Sequence, residues 1–557
     1  MLEKYQPQKV FHYFEQICQI PHPSYHCEAI SNYLMNFAKE HGLEAYQDQF
    51  YNVIIIKEAS AGKEELEPIM IQGHMDMVTV KDDGVQIDMQ KEGLKLAVDG
   101  DYIYAKGTSL GGDDGIAIAY GLALLDDDTL SLPRIELVVT TEEEVGMEGA
   151  TGIDLSVCKA NRMLNLDSED EGEFVVACAG GMRVHADMEA GEKLPMTENE
   201  LLYCIEVGGL TGGHSGTEII RHSANASKVL GSVLQGLWMM DCPFMLMDLE
   251  GGTKDNAIPI YAKALIAVSK EKKEQINANI DKMYEEFRKQ YEATDPDGYV
   301  KCCEVEPANW NDMQSGLQNT VQNDTGNTMQ NIVQNDAGNT MQNTVRDDAG
   351  NTMQNTVRND VANTMQNTMQ NDAKNNTQNI KKEIRLFSKE RTRQIIDFLC
   401  EVPNGVQSMC VEMPELPQTS LNLGIMKGEA DGIHFDFSLR SSVSAEKQEL
   451  CDKVCKIIDK YAGTYELGGD YPAWEYKADS VLREHLVSVY EKQYGKLPEV
   501  LSIHAGLECG ILASKKPGLD CVSVGPDILD IHTTRERLSI SSVQRVWKFL
   551  VEALETL

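Results

Sequence analysis

The stretch Ile135-Glu-Leu-Val-Val-Thr140-Thr-Glu142-Glu143-Glu144-Val-Gly146 holds two signals in succession. Its first half is an apolar run of strand length, and such a run reads as a buried strand. Its second half sets three glutamates side by side at the end of that strand. Adjacent carboxylates repel one another unless a cation offsets them. A charge run is ordinarily a solvated face, but this one follows a core strand directly, which favours metal or catalytic use. The pattern recurs. Pro68-Ile-Met-Ile71 leads into Gly73-His74-Met75-Asp76-Met77, and Met163-Leu-Asn-Leu166 leads into Asp167-Ser-Glu-Asp-Glu171. Val53–Ile56 is a further apolar run, and Ile116–Leu125 reads as a helix of small residues. Strands alternating with helix predict an α/β domain with a mixed or parallel sheet. Ligands of such sheets lie beyond the carboxyl ends of the strands.

Outward from this core the order changes. From about Leu201 a strand precedes a helix (224–240), two strands follow (244–249 and 257–268), and then a charged helix (272–291). A second set of similar elements runs from about Glu390 to Leu467. We read 187–472 as a separate α+β domain inserted into an α/β domain made of 1–186 and 473–557. Residues 315–378 differ in kind: Asn-Thr-Met-Gln recurs at Asn327, Asn339, Asn351 and Asn363, a period of 12. The segment is poor in aromatic and large apolar residues, so burial cannot offset the entropy of ordering it, and it reads as a disordered surface loop grown by duplication. A small β-solenoid is the alternative for a regular repeat.

With 557 residues the chain is too long for one ordinary domain. A formal net charge of −38 argues against nucleic acid and anionic membranes as partners, since both need basic patches. The N-terminus has no basic and apolar leader, and no apolar run approaches a membrane span, so a cytoplasmic location is expected. The 14 cysteines include no Cys-x-x-Cys pair and read as reduced thiols. Any metal is therefore expected on His and carboxylate ligands.

Two further polar clusters complete the set: Gly107-Thr-Ser-Leu-Gly-Gly-Asp113-Asp114-Gly115, ahead of the small-residue helix, and Gly525-Pro-Asp-Ile-Leu-Asp-Ile-His532. Each alone has an ordinary reading as a loop, with Asp114 as a helix cap. Jointly, several strand ends of one sheet deliver His, Asp, Glu, Asp and a late His to one edge. Oxygen and nitrogen donors without thiolate suit zinc, manganese or cobalt.

These motifs, in this order, resemble the two-zinc metallopeptidases that include carnosinase-like dipeptidases and tripeptide aminopeptidase. Cys178-Ala-Gly-Gly, Gly212-Gly-His-Ser-Gly-Thr-Glu-Ile, Gly251-Gly-Thr-Lys-Asp-Asn-Ala-Ile-Pro and Ile503-His-Ala-Gly-Leu-Glu-Cys-Gly are similar to the aminoacyl-histidine dipeptidase (peptidase D) branch. The resemblance covers nearly the whole chain except the repeat. The fold it implies is α/β, a mixed-sheet catalytic domain of the zinc-peptidase type with an inserted α+β lid domain. The activity it implies is hydrolysis of unblocked dipeptides, Xaa-His preferred, by a metal-bridging water and a Glu general base. Carried over by residue, His74, Asp113 and Asp167 hold one divalent ion, and Asp113, Glu144 and His532 the second. Asp76 orients His74, Glu143 is the base, and the Asp113–Asp114 bond is a candidate cis peptide. His214, on the smaller domain, reaches the scissile carbonyl, while Asn256 and Arg440 contact substrate. Homodimerisation through the smaller domain is also implied. The alternatives are an amidohydrolase acting on acylated amino acids, an inactive relative serving as a binding protein, and a nucleotide-binding protein. The last lacks a phosphate loop here.

Overall fold

The computed structural model describes residues 1–2, 4–306, 384–411 and 413–557. The 315–378 repeat lies outside them. Two large sheets organise the chain. The first has eight strands in the order Glu44–Gln47, Val53–Lys57, Ile135–Thr140, Ile69–His74, Arg162–Asn165, Asp520–Ser523, Glu173–Cys178 and Glu499–Ile503. Its centre is parallel: Ile69–His74 pairs in parallel with Ile135–Thr140 on one side and Arg162–Asn165 on the other, and Asp520–Ser523 continues that direction. Val53–Lys57 runs antiparallel at one flank, so the sheet is mixed.

Strand side chains alternate between faces, and both faces here are covered. Ile69, Ile71, Ile135, Leu137 and Val139 face one core, shared with the helices Gln8–Ile17, Gly112–Leu125 and Ile540–Glu555. Met70, Val138 and Met163 face a second core, closed by Ala150, Ile153 and Leu512. Two-sided burial explains why these strands read as unbroken apolar runs. The helix Gly112–Leu125 is buried nearly all round, which accounts for its lack of a polar stripe in sequence.

The second sheet is antiparallel and belongs to the inserted region. Its order is Tyr299–Val305, Glu200–Gly208, Ala262–Ser269, Phe244–Gly251, Pro417–Gly428, Gly432–Ser441, Gly180–Glu189 and Thr464–Tyr471, with Gly405–Met409 pairing on Pro417–Gly428. The path consists of two βαββαβ copies with the same strand order, joined edge to edge. The join is narrow, made by Glu250 opposite Lys427 and Gly251 opposite Met426. One copy is nested in the other. The outer copy begins with Gly180–Glu189 and resumes at the helix Lys389–Glu401. The inner copy enters beside Lys193–Pro195 and leaves beside Arg385–Phe387, and these two short strands pair with each other. The helices Ala226–Met239, Lys273–Tyr291, Lys389–Glu401 and Ser444–Lys460 pack on one face over a shared core.

Two details differ from the pattern read in sequence. The strand Gly180–Glu189 spans the expected 186/187 boundary and pairs only within the second sheet. The run 257–268 forms a strand only from Ala262, because Ala257 is taken up in an isolated bridge with His214.

Candidate metal centre

His74 is the last residue of its strand, the short helix Glu143–Gly146 follows the neighbouring strand, and Asp167 follows the strand on the other side. Three adjacent parallel strands therefore open at one edge. Asp113 arrives there at the start of the helix Gly112–Leu125, and His532 from the loop after Ile528–Leu529. The peptide bond Asp113–Asp114 is cis.

Asp113 is the centre of the arrangement. Its Oδ1 lies 3.0 Å from His74 Nε2 and its Oδ2 3.2 Å from His532 Nε2. Asp167 Oδ1 is 3.4 Å from His74 Nε2 on the first side, and Glu144 Oε1 is 2.9 Å from His532 Nε2 on the second. His74 Nδ1 faces the Asp76 carbonyl at 3.0 Å and its carboxylate at 3.5 Å. That carboxylate also accepts the Glu143 N–H at 3.0 Å, the Glu144 N–H at 3.4 Å and the Ser24 hydroxyl at 2.9 Å. Asp76 thus fixes the imidazole and the glutamate turn together. Asp114 Oδ2 accepts the His74 N–H at 3.2 Å. Gly73 is required for this approach, because a Cβ there would sit 2.4 Å from Asp114 Oδ2 and 2.6 Å from Ala117 Cβ.

The charge balance supports a cation. Burial, reinforced by Asp167, pushes Asp114 well above the usual carboxylate range. Burial does the same to Glu143, with Asp167, Glu508 and Glu144 adding to it, and raises Asp167 to about 6. Hydrogen bonds donated to the Asp113 and Glu144 carboxylates raise His532 to about 10. His74 is held well above its ordinary value by Asp167, Asp113 and Asp76 despite burial. Carboxylates outnumber imidazoles, and without a metal the site must hold protons it does not need when cations are bound. His74, Asp113 and Glu144 bring one donor atom each within 4.8 Å, as do His74, Asp114 and Asp167. The donor set fits divalent ions that accept oxygen and nitrogen ligands.

Two buried glutamates support the site from behind, and sequence reading had assigned them no role. Glu536 accepts three backbone N–H groups of the Asp113 loop, Leu110 at 2.7 Å, Gly111 at 3.1 Å and Gly112 at 2.7 Å. Glu508 accepts Gln72 Nε2 at 2.6 Å and Thr140 Oγ1 at 2.5 Å, both on the strands that carry the ligand candidates. Burial raises Glu508 to about 8. Glu508 lies inside the quoted Ile503–Gly510 motif, so a signal existed; Glu536 had none beyond its nearness to His532.

The second sheet contributes another group. Arg440 Nη1 donates to the Tyr471 hydroxyl at 3.2 Å. Its Nε is buried with no hydrogen-bond partner among the described residues, and so is His504 Nδ1. His504 Nε2 meets Ser420 Oγ at 2.7 Å, joining the first sheet's edge to the inserted domain. His214 Nδ1 accepts the Thr217 N–H at 3.3 Å, which leaves the ring proton on Nε2. Burial, with Arg440 nearby, lowers its pKa. Asn256 is held by its backbone beside His214, its carbonyl accepting the Ser215 N–H at 2.8 Å. Tyr471 is the member of this group that motif reading passed over, while His504 lies inside the quoted Ile503–Gly510 motif.

A mixed α/β sheet with five ligand-type side chains at one edge and an inserted two-copy lid defines a class, and the sequence comparison agrees with it. The model of peptidase family M20/M25/M40 matches residues 70–556, and the chain belongs to that family. It is 31% identical over 562 aligned positions to the cytosol non-specific dipeptidase of Escherichia coli K12, with 100% of this chain and 98% of that protein covered. The crystal structure of aminoacylhistidine dipeptidase from Vibrio alginolyticus superposes with a TM-score of 0.81 at 28% identity, covering 100% of this chain and 98% of that one. The aminopeptidase PepT of Bacillus cereus shares the fold, with a TM-score of 0.50 at 14% identity over 99% and 98% of the two chains.

Proposed function

We propose that the protein hydrolyses the peptide bond of short unblocked dipeptides, Xaa-His among them, at a centre of two divalent metal ions, zinc first and manganese or cobalt next. The observation that carries this reading is Asp113, whose two carboxylate oxygens face two different histidines. His74, Asp113 and Asp167 would hold one ion and Asp113, Glu144 and His532 the other. When bound, such a pair polarises the attacked carbonyl and lowers the pKa of water. Glu143 takes the proton of the attacking water and returns it to the leaving amine. His214 donates its Nε2 proton to the carbonyl oxygen as charge develops there. Arg440, with a buried donor unspent, holds the substrate carboxylate, and Asn256 contacts substrate beside His214. Asp76 positions His74 and the glutamate turn. The relatives' printed names, cytosol non-specific dipeptidase and aminoacylhistidine dipeptidase, support both the substrate class and a cytoplasmic location. We also assign the protein as a homodimer, a state that light scattering tests.

Free histidine released from a panel of Xaa-His dipeptides by the metal-loaded protein is the direct assay. Glu143→Gln is expected to lower kcat by about 10²–10⁴-fold while its metal content stays that of the parent. Release from N-acetyl amino acids but not from dipeptides would replace the dipeptidase reading with an amidohydrolase.

A further inference from the structure

Four polar side chains meet on the open face of the second sheet, within the outer copy of the lid. The strands Gly180–Glu189 and Gly432–Ser441 pair so that His185 lies opposite Asp436 and Asp187 opposite His434. Residues two apart on a strand share a face, so all four point the same way. Their neighbours Val184, Ala186, Phe435 and Phe437 point the other way, into the lid core. We propose that His185, His434 and Asp436 form a further metal site, distinct from the centre at the first sheet, for one divalent transition-metal ion.

Both imidazoles converge on one carboxylate oxygen, so three donor atoms face a common point. His185 Nδ1 lies 2.5 Å and His434 Nε2 2.9 Å from the same oxygen, Asp436 Oδ1. One donor atom from each of the three residues falls within 4.8 Å of the others. The other nitrogen of His434 is engaged by Asp187 at 2.7 Å. A carboxylate on the far nitrogen fixes the tautomer and ring orientation of a metal-binding imidazole and raises its basicity. With an ion on Nε2, the Nδ1 proton stays with Asp187. The side chains are 39% (His185), 25% (His434) and 14% (Asp436) exposed, so an ion can enter without the lid opening. Glu466, opposite His185 on the neighbouring strand Thr464–Tyr471, adds negative potential on the same face. Two imidazoles and a carboxylate suit zinc, nickel or copper(II) over calcium or magnesium, with water in the remaining positions.

The test is a metal count. Full-length protein is equilibrated with zinc, and zinc per chain is measured by plasma mass spectrometry for the parent, His434→Gln, Asp436→Asn and Asp187→Asn. The parent should carry one zinc per chain more than His434→Gln and Asp436→Asn, with hydrolytic activity the same in all. Asp187→Asn should keep the ion but bind it about 10–100-fold more weakly. Equal counts in the parent and both ligand variants, each folded by circular dichroism, would overturn the site. If a variant does not fold, zinc-soaked crystals of the parent decide: an anomalous peak between His185 and His434 supports the site, and its absence at saturating zinc removes it.

Discussion

Asp113 offers one oxygen to each of two histidines, and the groups around it hold it to that task. Asp76 is the most heavily used of these, with His74, Ser24 and the N–H groups of Glu143 and Glu144 all on one carboxylate. Asp76→Asn puts an amide donor among donors. It is expected to weaken metal affinity about 10–100-fold, measured by equilibrium dialysis, and to lower kcat at saturating metal. Glu536→Gln replaces one acceptor of three buried N–H groups with a donor. A buried N–H left unpaired costs about 1–3 kcal/mol, so a lowered melting temperature is expected, and an unchanged one would mean the Asp113 loop holds itself. At this scale the acidic motifs were legible because charge at the end of an apolar run is conspicuous. Tyr471 and Glu536 were not, because a single aromatic or glutamate in a loop or at a strand end has many ordinary explanations.

Among the elements, the strand Ile69–His74 and the helix Gly112–Leu125 meet at Gly73, where there is no room for a methyl group. Gly73→Ala must push Asp114 or Ala117 aside. Overpacking of this sort costs about 1–3 kcal/mol, and the displaced Asp114 should carry metal content down with it, which metal analysis of the purified variant checks. In the lid, Lys228 on the helix Ala226–Met239 donates to the last carbonyls of the neighbouring helix, those of Leu399 and Val402. Burial lowers its pKa to about 8 from an ordinary 10.5. Between those values the unfolded chain carries a proton that the folded one lacks, so this residue's contribution to stability rises with pH across that window. The parent should gain stability relative to Lys228→Met from pH 8 to 10.5, on the order of 1–2 kcal/mol, as read by urea unfolding at each pH. Element type followed from periodicity for the long helices and two-sided strands. The ends of elements did not, as at Ala262, where a contact distant in sequence decides where the strand begins.

For the molecule as a whole, the acid-rich centre ties the metals to stability. Removing them by chelation leaves Asp113, Asp114, Glu143, Glu144 and Asp167 to repel one another, so a lower melting temperature, restored by added zinc, is expected from scanning calorimetry. The domain division remains a proposal, with the junction before Gly180 as the pairing of Gly180–Glu189 suggests. The repeat at 315–378 falls in sequence between the last strand of the inner copy and its exit strand. Excising it is expected to leave melting temperature and dipeptide hydrolysis within about twofold of the parent. Loss of soluble protein would give the repeat a role in folding.

By itself the sequence determined the α/β core, the insertion and the acidic strand ends, because hydrophobic period and local charge are properties of neighbouring residues. The resemblance of its motifs then supplied the candidate ligands. Only the tertiary structure decided that Asp113 lies between His74 and His532. Only it decided that the lid is two nested copies and that Gly180–Glu189 belongs to the second sheet. It alone brings His185 and Asp187 against His434 and Asp436. Each of these pairings joins residues tens to hundreds of positions apart, and strand order and register, which set such pairings, follow from how whole faces pack together.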